Sequence, residues 1–417
     1  MRMPRLALLL GAAAAVLLAL YARDFAAVSQ REIGRSDFTS SYVGATLIRE
    51  GQGHRLYDET LQAPLHAALI APDVEGNLPF VSPATQAVLT LPVTAVDLAA
   101  AYRGVVLAQF LLLAAAVAVA VRAAPWPRQI PVGVRVVTGL LALAGTGTLS
   151  LLLLGQWDAV PALGLAAGYA LWRRGHPTAA GFVLLLGFCL VKPHLALGVA
   201  AFLLARRNRS LLTGAALAVA VVAATSLLVA GVQGSADFVH ASVASTHRWN
   251  LASFVGFTGL TGSWLGTGPA NAAAAAGSLA ALAGCAVLGV AWRRDDGLLE
   301  PALAGATVLS LLASPHLLGH DLAILAPLFV MVAAWATAKD AGAVWPGKTA
   351  HRVLGLWLLI VVAARLDLGN ESMAPPGRLV PWVLILAALA AVVVCRRGES
   401  RHAAPAVRAR APSVAVT

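Results

Sequence analysis

One acidic residue, Asp37, stands just beyond the first apolar segment of the chain, in a short polar stretch at 35–45. A carboxylate so placed can take a proton from an attacking hydroxyl group and act as a general base. Other polar residues interrupt the apolar segments that follow, and such groups within apolar segments are costly and usually mark functional sites. These further candidate site residues are Gln156, Asp158, Lys192, His194, His316 and His320.

The candidate residues divide into two chemical roles. Asp37 is predicted to be the catalytic base, whereas Lys192 and the three histidines are predicted to stabilise the negative charge of a departing phosphate, as cationic or hydrogen-bonding groups do. Tyr42, Gln156 and Asp158 are predicted to contact the substrate. A single displacement at carbon needs one essential carboxylate and inverts that centre. The sequence contains no glycine-rich phosphate cradle or zinc motif that would point to other chemistry.

Several of these residues also have structural explanations. Asp37 suits the cap of the helix that follows it, and the amino group of Lys192 suits the membrane interface. His316 can satisfy a carbonyl at a helix end, and His320 with Asp321 can open the next helix. These alternatives stay open at the level of sequence.

Two further pairs of residues fit structural roles better than chemical ones. Asp58 and Glu59 are typical of a helix cap and first turn. Trp157 and Trp249 are typical of the aromatic belt at a membrane interface rather than of sugar stacking.

The composition predicts what must position the candidate residues. The 417 residues are 59% hydrophobic and 12% charged, with a mean hydropathy of +0.79, whereas soluble domains carry about 25% charged residues. Apolar runs recur along the chain, which predicts an all-α polytopic membrane protein of about 11–13 transmembrane or re-entrant helices. The net charge of +11 does not indicate nucleic-acid binding, because most basic residues form short clusters between apolar segments.

The segmentation predicts one membrane domain over residues 1–395 and a basic, disordered cytoplasmic tail over 396–417. Residues 1–22 suit an uncleaved first helix better than a signal peptide, since no clear cleavage site follows. Residues 23–82 form the first extracytoplasmic loop, with short helices starting near Ser36 and Glu59. Residues 231–268 form a second long extracytoplasmic loop.

The basic clusters predict the topology. With the amino terminus inside, the clusters between helices fall on the cytoplasmic side, as the positive-inside rule requires. The candidate residues then share the outer face of a multi-pass protein of the bacterial plasma membrane. The segments placed outside are 23–82, 155–158, 192–194, 231–268, 314–320 and 365–378.

Short motifs occur in a fixed order along residues 35–330: Asp37-Phe38, Tyr42, Gly44-Ala45, Gly51, Leu56-Tyr57-Asp58, Phe80 with Pro83, Leu91-Pro92, Gly155-Gln156, Ala180-Gly181, Lys192-Pro193, and Ser314-Pro315-His316 with His320. In this order they resemble the family 87 glycosyltransferases, which are polyprenyl-phosphate-mannose-dependent mannosyltransferases of the GT-C class. The resemblance implies a GT-C-type helical bundle. It aligns Asp37 with the family's base, and it places Lys192 and the histidines of 314–320 where the family binds the donor phosphate.

The resemblance also implies the substrates. The donor is expected to be a polyprenyl-phosphate sugar, most often mannose, and the acceptor a glycolipid or polysaccharide, with no cofactor and no metal. Decaprenyl-phosphate-arabinose is an alternative donor, and a lipid-linked sugar transporter or flippase is an alternative function. Three departures from the family's pattern leave the sugar and the acceptor open: Ser82 replaces a proline, Asp158 replaces an asparagine, and Asp321 replaces a histidine or tyrosine.

Overall fold

The structure is a computed structural model that describes residues 4–72, 78–245, 254–265, 267–340, 345–368 and 377–403. Within these ranges the chain is built from α-helices and short 3₁₀ turns, without a β-strand. The predicted all-α fold class is therefore confirmed.

In the part of the chain that the structure describes, four short α-helices follow the first long helix, three within the region predicted as the first loop and one just after it. Their bounds, with those of the first membrane helices, are α1 Arg5–Ala27, α2 Gln30–Gly34, α3 Asp37–Arg49, α4 Glu59–Ile70, α5 Ala84–Thr90, α6 Leu98–Ala123, α7 Val132–Leu143, α8 Thr146–Leu154 and α9 Ala159–Arg173. The remaining helices are α10 Pro177–Cys189, α11 Leu197–Arg206, α12 Arg209–Ser245, α13 Phe257–Gly262, α14 Thr267–Arg294, α15 Leu299–Ala313, α16 Leu325–Lys339, α17 Lys348–Asp367 and α18 Val380–Ala403.

Among the described residues, eight helices are long and apolar enough to cross a membrane, and the pair α7 and α8, bent by 51°, makes a ninth. Helices α10 and α11 are apolar but shorter than a span. Helices α15 and α16 are the most enclosed of the long helices, whereas most of α12 is exposed at the outside of the bundle. The chain is thus a multi-pass membrane protein whose core lies around α15 and α16.

Small residues allow the helices to pack closely, as is usual in membranes. At the crossing of α10 and α12, a Cβ atom added to Gly181 would lie 2.0 Å from the carbonyl oxygen of Leu211. A Cβ atom added to Gly214 would lie 1.9 Å from the carbonyl oxygen of Thr178. Only glycine therefore fits at these two positions without moving the helices apart.

The short helices between α1 and α6 are set by local capping. Ser29 and Glu32 form a reciprocal capping box at the start of α2. The carboxylate of Asp58 accepts a hydrogen bond from the main-chain NH of Thr60 at the start of α4 (2.9 Å). The structural explanation of Asp58 as a cap is thus confirmed, and α4 begins at the predicted residue.

Two boundaries differ from the sequence-based predictions. The segment predicted as a loop from 231 continues as helix α12 to Ser245, with a single non-helical residue, Gly231, at φ +69°. The tail predicted to be disordered from 396 continues α18 as far as Ala403. The extended part of α12 packs on the region before α6, where the ring of Phe238 lies 5.5 Å from that of Tyr57. Residues 404–417 and Trp249 lie outside the described residues.

Candidate functional site

A cavity of about 940 Å³ lies among the ends of several helices. Its wall is mostly apolar, with a smaller number of polar residues, as is usual for small-molecule sites. Each of the six segments that the topology places on one face contributes to this wall, through Asp37, Gln156, Lys192, Phe254, His316 and Arg378 among others. Residues far apart in the sequence therefore meet around one cavity.

Asp37 lies in the first turn of α3, directly after the N-cap residue Ser36, whose hydroxyl donates to the carbonyl of Ile33 (2.7 Å). The carboxylate of Asp37 does not cap α3. It instead accepts a hydrogen bond from the side-chain amide of Gln156 (Nε2 to Oδ2, 2.6 Å). The capping explanation of Asp37 is therefore wrong in this structure, and the carboxylate faces the cavity.

Gly155 explains how Gln156 reaches Asp37. It ends α8 in the left-handed conformation (φ +66°), which favours glycine. A Cβ atom at this position would lie 2.7 Å from the Cβ of Phe38, the residue next to Asp37. Gly155 thus allows a sharp turn close to α3. This turn brings the side-chain amide of Gln156 to the carboxylate of Asp37.

His320 links the cavity to a buried group of charged residues. Its Nε2 atom lies 3.9 Å from Asp37 Oδ2 and has no hydrogen-bond partner. Its Nδ1 atom lies 2.9 Å from Asp158 Oδ2. The ring is almost fully buried, and so is the carboxylate of Asp158. Asp158 does not line the cavity, so its predicted contact with substrate is not supported, and it can act only through its neighbours His320 and Lys192.

The amino group of Lys192 lies inside this buried group rather than at a membrane interface. Its Nζ atom is 2.8 Å from Asp158 Oδ1, 2.6 Å from Asp321 Oδ1 and 3.1 Å from His320 Nδ1. The alternative explanation of Lys192, in which its amino group reaches the membrane interface, is therefore wrong. We call these four residues, Asp158, Lys192, His320 and Asp321, the ion cluster.

Asp321 has two roles in this structure. Its Oδ2 atom accepts the main-chain NH of Leu318 (2.7 Å) at the start of the 3₁₀ turn Gly319–Ile324, as the capping explanation predicts. Its Oδ1 atom meanwhile pairs with Lys192. Sequence reasoning noted Asp321 as an opening residue of the next helix and as a departure from the family pattern, but it did not predict the pairing with Lys192.

Two more histidines line the cavity beside the ion cluster. The rings of His194 and His316 meet edge to face with centroids 6.0 Å apart, and His316 stacks on Phe254 at 5.6 Å. The buried Nε2 atom of His316 has no hydrogen-bond partner. His316 lies between two of the membrane-spanning segments. Burial lowers the pKa of its imidazole, so the ring is neutral at neutral pH. A neutral ring can still donate or accept a hydrogen bond.

Tyr42 and Trp157 are placed differently from their predictions. Tyr42 does not line the cavity, and its hydroxyl donates to the main-chain carbonyl of Val96 (2.7 Å), which anchors α3 to the segment before α6. Its predicted contact with substrate is therefore not supported by the position of the ring. Trp157 follows the turn that carries Gln156. Its ring is buried in the core rather than placed in an aromatic belt at a membrane interface.

Ligand atoms for a metal ion are also present. Asp158, His320 and Asp321 offer atoms that all lie within 4.8 Å of one another. The amino group of Lys192 lies within 3.1 Å of each of these residues. This arrangement differs from an open metal site, because a cation from the protein already lies among the carboxylates.

The cavity, the acid at its wall and the helical membrane fold define the class of a membrane-embedded enzyme. A sequence profile of glycosyltransferase family 87 matches residues 80–315, which is more than half of the 417-residue chain. The chain belongs to this family and is a membrane glycosyltransferase. Comparison with curated proteins and with solved structures found no match. Gln156, Asp158, Lys192 and His194 lie within the matched region, and Asp37 precedes it.

Proposed function

We propose that this glycosyltransferase transfers mannose from a polyprenyl-phosphate donor to a glycolipid or polysaccharide acceptor, with inversion at the anomeric carbon. The observation that carries the proposal is the position of Asp37, whose carboxylate lies at the wall of the cavity and within 3.9 Å of the unpartnered nitrogen of His320. A base and a potential phosphate ligand are therefore adjacent.

The proposed reaction is one displacement. The acceptor oxygen forms a bond to the anomeric carbon while the bond from that carbon to the phosphate oxygen breaks. The proton of the acceptor hydroxyl passes to Asp37, and the lipid phosphate leaves with the bonding electron pair. The hydrogen bond from Gln156 orients the Asp37 carboxylate and leaves its other oxygen for the acceptor.

The departing phosphate needs hydrogen-bond donors where its charge develops. We assign this role to His320, His316 and His194, whose rings line one side of the cavity. Lys192 also lines the cavity, but two carboxylates surround its amino group. We therefore assign Lys192 mainly to holding His320 in place, with Asp158 and Asp321, rather than to direct neutralisation of the phosphate.

The substrates fit the remaining walls of the cavity. Apolar side chains such as Leu78, Leu197 and Val239 line it, which suits a lipid donor whose chain stays in the membrane. The basic clusters lie at the opposite helix ends, which supports an extracytoplasmic site by the positive-inside rule. Such a site takes a lipid-linked donor rather than a nucleotide sugar. Arabinose remains the alternative sugar.

The decisive experiment is transfer in liposomes with radiolabelled polyprenyl-phosphate-mannose and an envelope lipid extract as acceptor. The wild type should form a labelled glycoside, and Asp37→Asn should lower turnover by roughly 10²–10⁴-fold, as expected for loss of a general base. Asp58→Asn is the matched control, since Asp58 is an acid of the same region that caps α4 and pairs with Arg55 but does not line the cavity.

Each other outcome has a definite meaning. Near-normal turnover by Asp37→Asn would remove Asp37 as the base. Movement of the labelled donor across the bilayer without a new glycoside would support a flippase instead. Transfer from decaprenyl-phosphate-arabinose, but not from the mannose donor, would correct the sugar and keep the reaction.

A further inference from the structure

The ion cluster has the composition of a metal site, but its centre is an ammonium group. Two carboxylates and one imidazole surround Lys192 Nζ at 2.8, 2.6 and 3.1 Å. Mixed carboxylate and imidazole ligands suit divalent ions such as Mn²⁺ and Zn²⁺. Metal–ligand distances of about 2.0–2.2 Å are only somewhat shorter than the distances to Nζ. A small inward movement of the three side chains would therefore enclose an ion.

The charges in the ion cluster also favour a divalent ion in place of the ammonium group. Lys192 contributes one positive charge to two nearly fully buried carboxylates, Asp158 and Asp321. A buried carboxylate without a counter-charge is strongly unfavourable. Removal of the ammonium would leave only the imidazole of His320 beside the two carboxylates, and a divalent ion would restore the balance.

The position of Lys192 also leaves room for an ion once the side chain is shortened. The lysine lines the cavity, so truncation to alanine opens the cluster to the cavity rather than to packed protein. Water and ions can then reach the ligands. In the wild-type protein the ammonium group and its aliphatic stem fill this space.

We propose that the Lys192 ammonium is the built-in cation of a three-ligand divalent-metal site, formed with Asp158, His320 and Asp321, and that it keeps metal ions out. The ammonium group of Lys192, rather than a bound ion, thus holds His320 in position. Removal of the ammonium converts the cluster into a site for one Mn²⁺ or Zn²⁺ ion. This inference concerns metal binding and does not depend on the proposed sugar transfer.

The test is Mn²⁺ titration of purified, tag-free, full-length protein in detergent, followed by the paramagnetic resonance signal of the free ion. Lys192→Ala should bind one Mn²⁺ per chain that the wild type does not bind. Adding Asp321→Asn to this variant should weaken that binding by more than about 10-fold, because it removes a ligand. Lys339→Ala is the matched control: Lys339 lies near the Trp335 ring at the end of α16, away from the cluster.

Two results would overturn the proposal. One is wild-type protein that binds Mn²⁺ at this site as tightly as Lys192→Ala does, and the other is folded Lys192→Ala that binds no ion. If Lys192→Ala is unstable, Lys192→Met retains the aliphatic stem, and the thermal midpoint becomes the measurement. Mn²⁺ or Zn²⁺ should raise the midpoint of the Lys192 variants but not that of the wild type. Absence of any such rise would also overturn the proposal.

Discussion

The side-chain amide of Gln156 donates a 2.6 Å hydrogen bond to the carboxylate of Asp37, across 119 positions of the sequence. The two residues come from different helices, the end of α8 and the start of α3. Because the amide restrains one carboxylate oxygen, the other is presented to the cavity in a defined direction. The proposed base is therefore positioned by a residue that does not itself react.

Gln156→Ala should lower sugar transfer mainly through kcat, by about 10²-fold, the order of loss expected when a catalytic group is misplaced by an ångström. The KM for the donor should change much less, since the cavity wall is retained. Steady-state kinetics in detergent would measure both values. Gln233→Ala is the control, because Gln233 is an exposed residue of α12 whose side-chain amide donates to Asp237 (2.9 Å) and does not line the cavity. An unchanged kcat in Gln156→Ala would contradict the positioning role.

The ion cluster predicts an order of stabilities among its variants. Lys192→Met leaves two buried carboxylates with only the His320 imidazole beside them, and loss of one partner from a buried pair costs about 3–5 kcal/mol. Asp158→Asn leaves Lys192 paired with Asp321 and should be less harmful. Thermal midpoints in detergent, measured without added metal, should therefore fall further for Lys192→Met. The reverse order would show that Lys192 does not balance the two acids.

A chelator should leave wild-type sugar transfer unchanged. The reason is the position of Lys192 Nζ, which lies 2.6 Å from Asp321 and 2.8 Å from Asp158, where a divalent ion would bind. The measurement is turnover before and after dialysis against EDTA, with Mn²⁺ added back as a control for recovery. Loss of activity that Mn²⁺ restores would contradict this prediction and would place a metal elsewhere in the site.

Stability should also fall when the pH drops below the ordinary histidine value of 6.5. Burial lowers the pKa of His316, so the folded protein keeps this ring neutral while the unfolded chain binds a proton. The unfolded state then binds more protons, and the free energy of unfolding decreases with decreasing pH. His316→Gln should make the thermal midpoint less sensitive to pH between 7.5 and 5.5. An identical pH dependence in wild type and variant would exclude this contribution; the neighbouring His194 and the buried His320 are unchanged in both proteins.

The sequence predicted much of this site because polar residues are rare in apolar segments. Asp37, Gln156, Lys192, His316 and His320 all stand out for that reason, and all five line one cavity. Their pairing was not predictable, since it depends on distances between helices. No pattern indicates that Lys192 lies between two acids.

Sequence reasoning misjudged residues whose role depends on contacts with distant parts of the chain. Asp321 has a capping role, so its second role in the ion cluster was missed. Tyr42 belongs to a family motif, but its hydroxyl bonds to Val96, 54 positions away. The helix α12 passes Gly231, a residue that usually ends helices. In each case a long-range contact or tertiary packing decided the outcome.

The crossing of α10 and α12 gives a test of the fold that is independent of the chemistry. Gly181→Ala places a methyl group 2.0 Å from the carbonyl oxygen of Leu211, so the two helices must separate. Such overpacking costs about 1–3 kcal/mol, and more where backbone has to move. The thermal midpoint of Gly181→Ala should therefore fall clearly.

Gly104→Ala is the matched control for this test. Gly104 lies within α6, and a Cβ atom there meets no atom within 4 Å. Because alanine favours helix by up to about 1 kcal/mol over glycine, this substitution should leave the midpoint unchanged or raise it. Opposite effects of the same substitution at the two glycines would locate the close helix contact at Gly181. Equal effects would mean that α10 and α12 do not cross as closely as the structure shows.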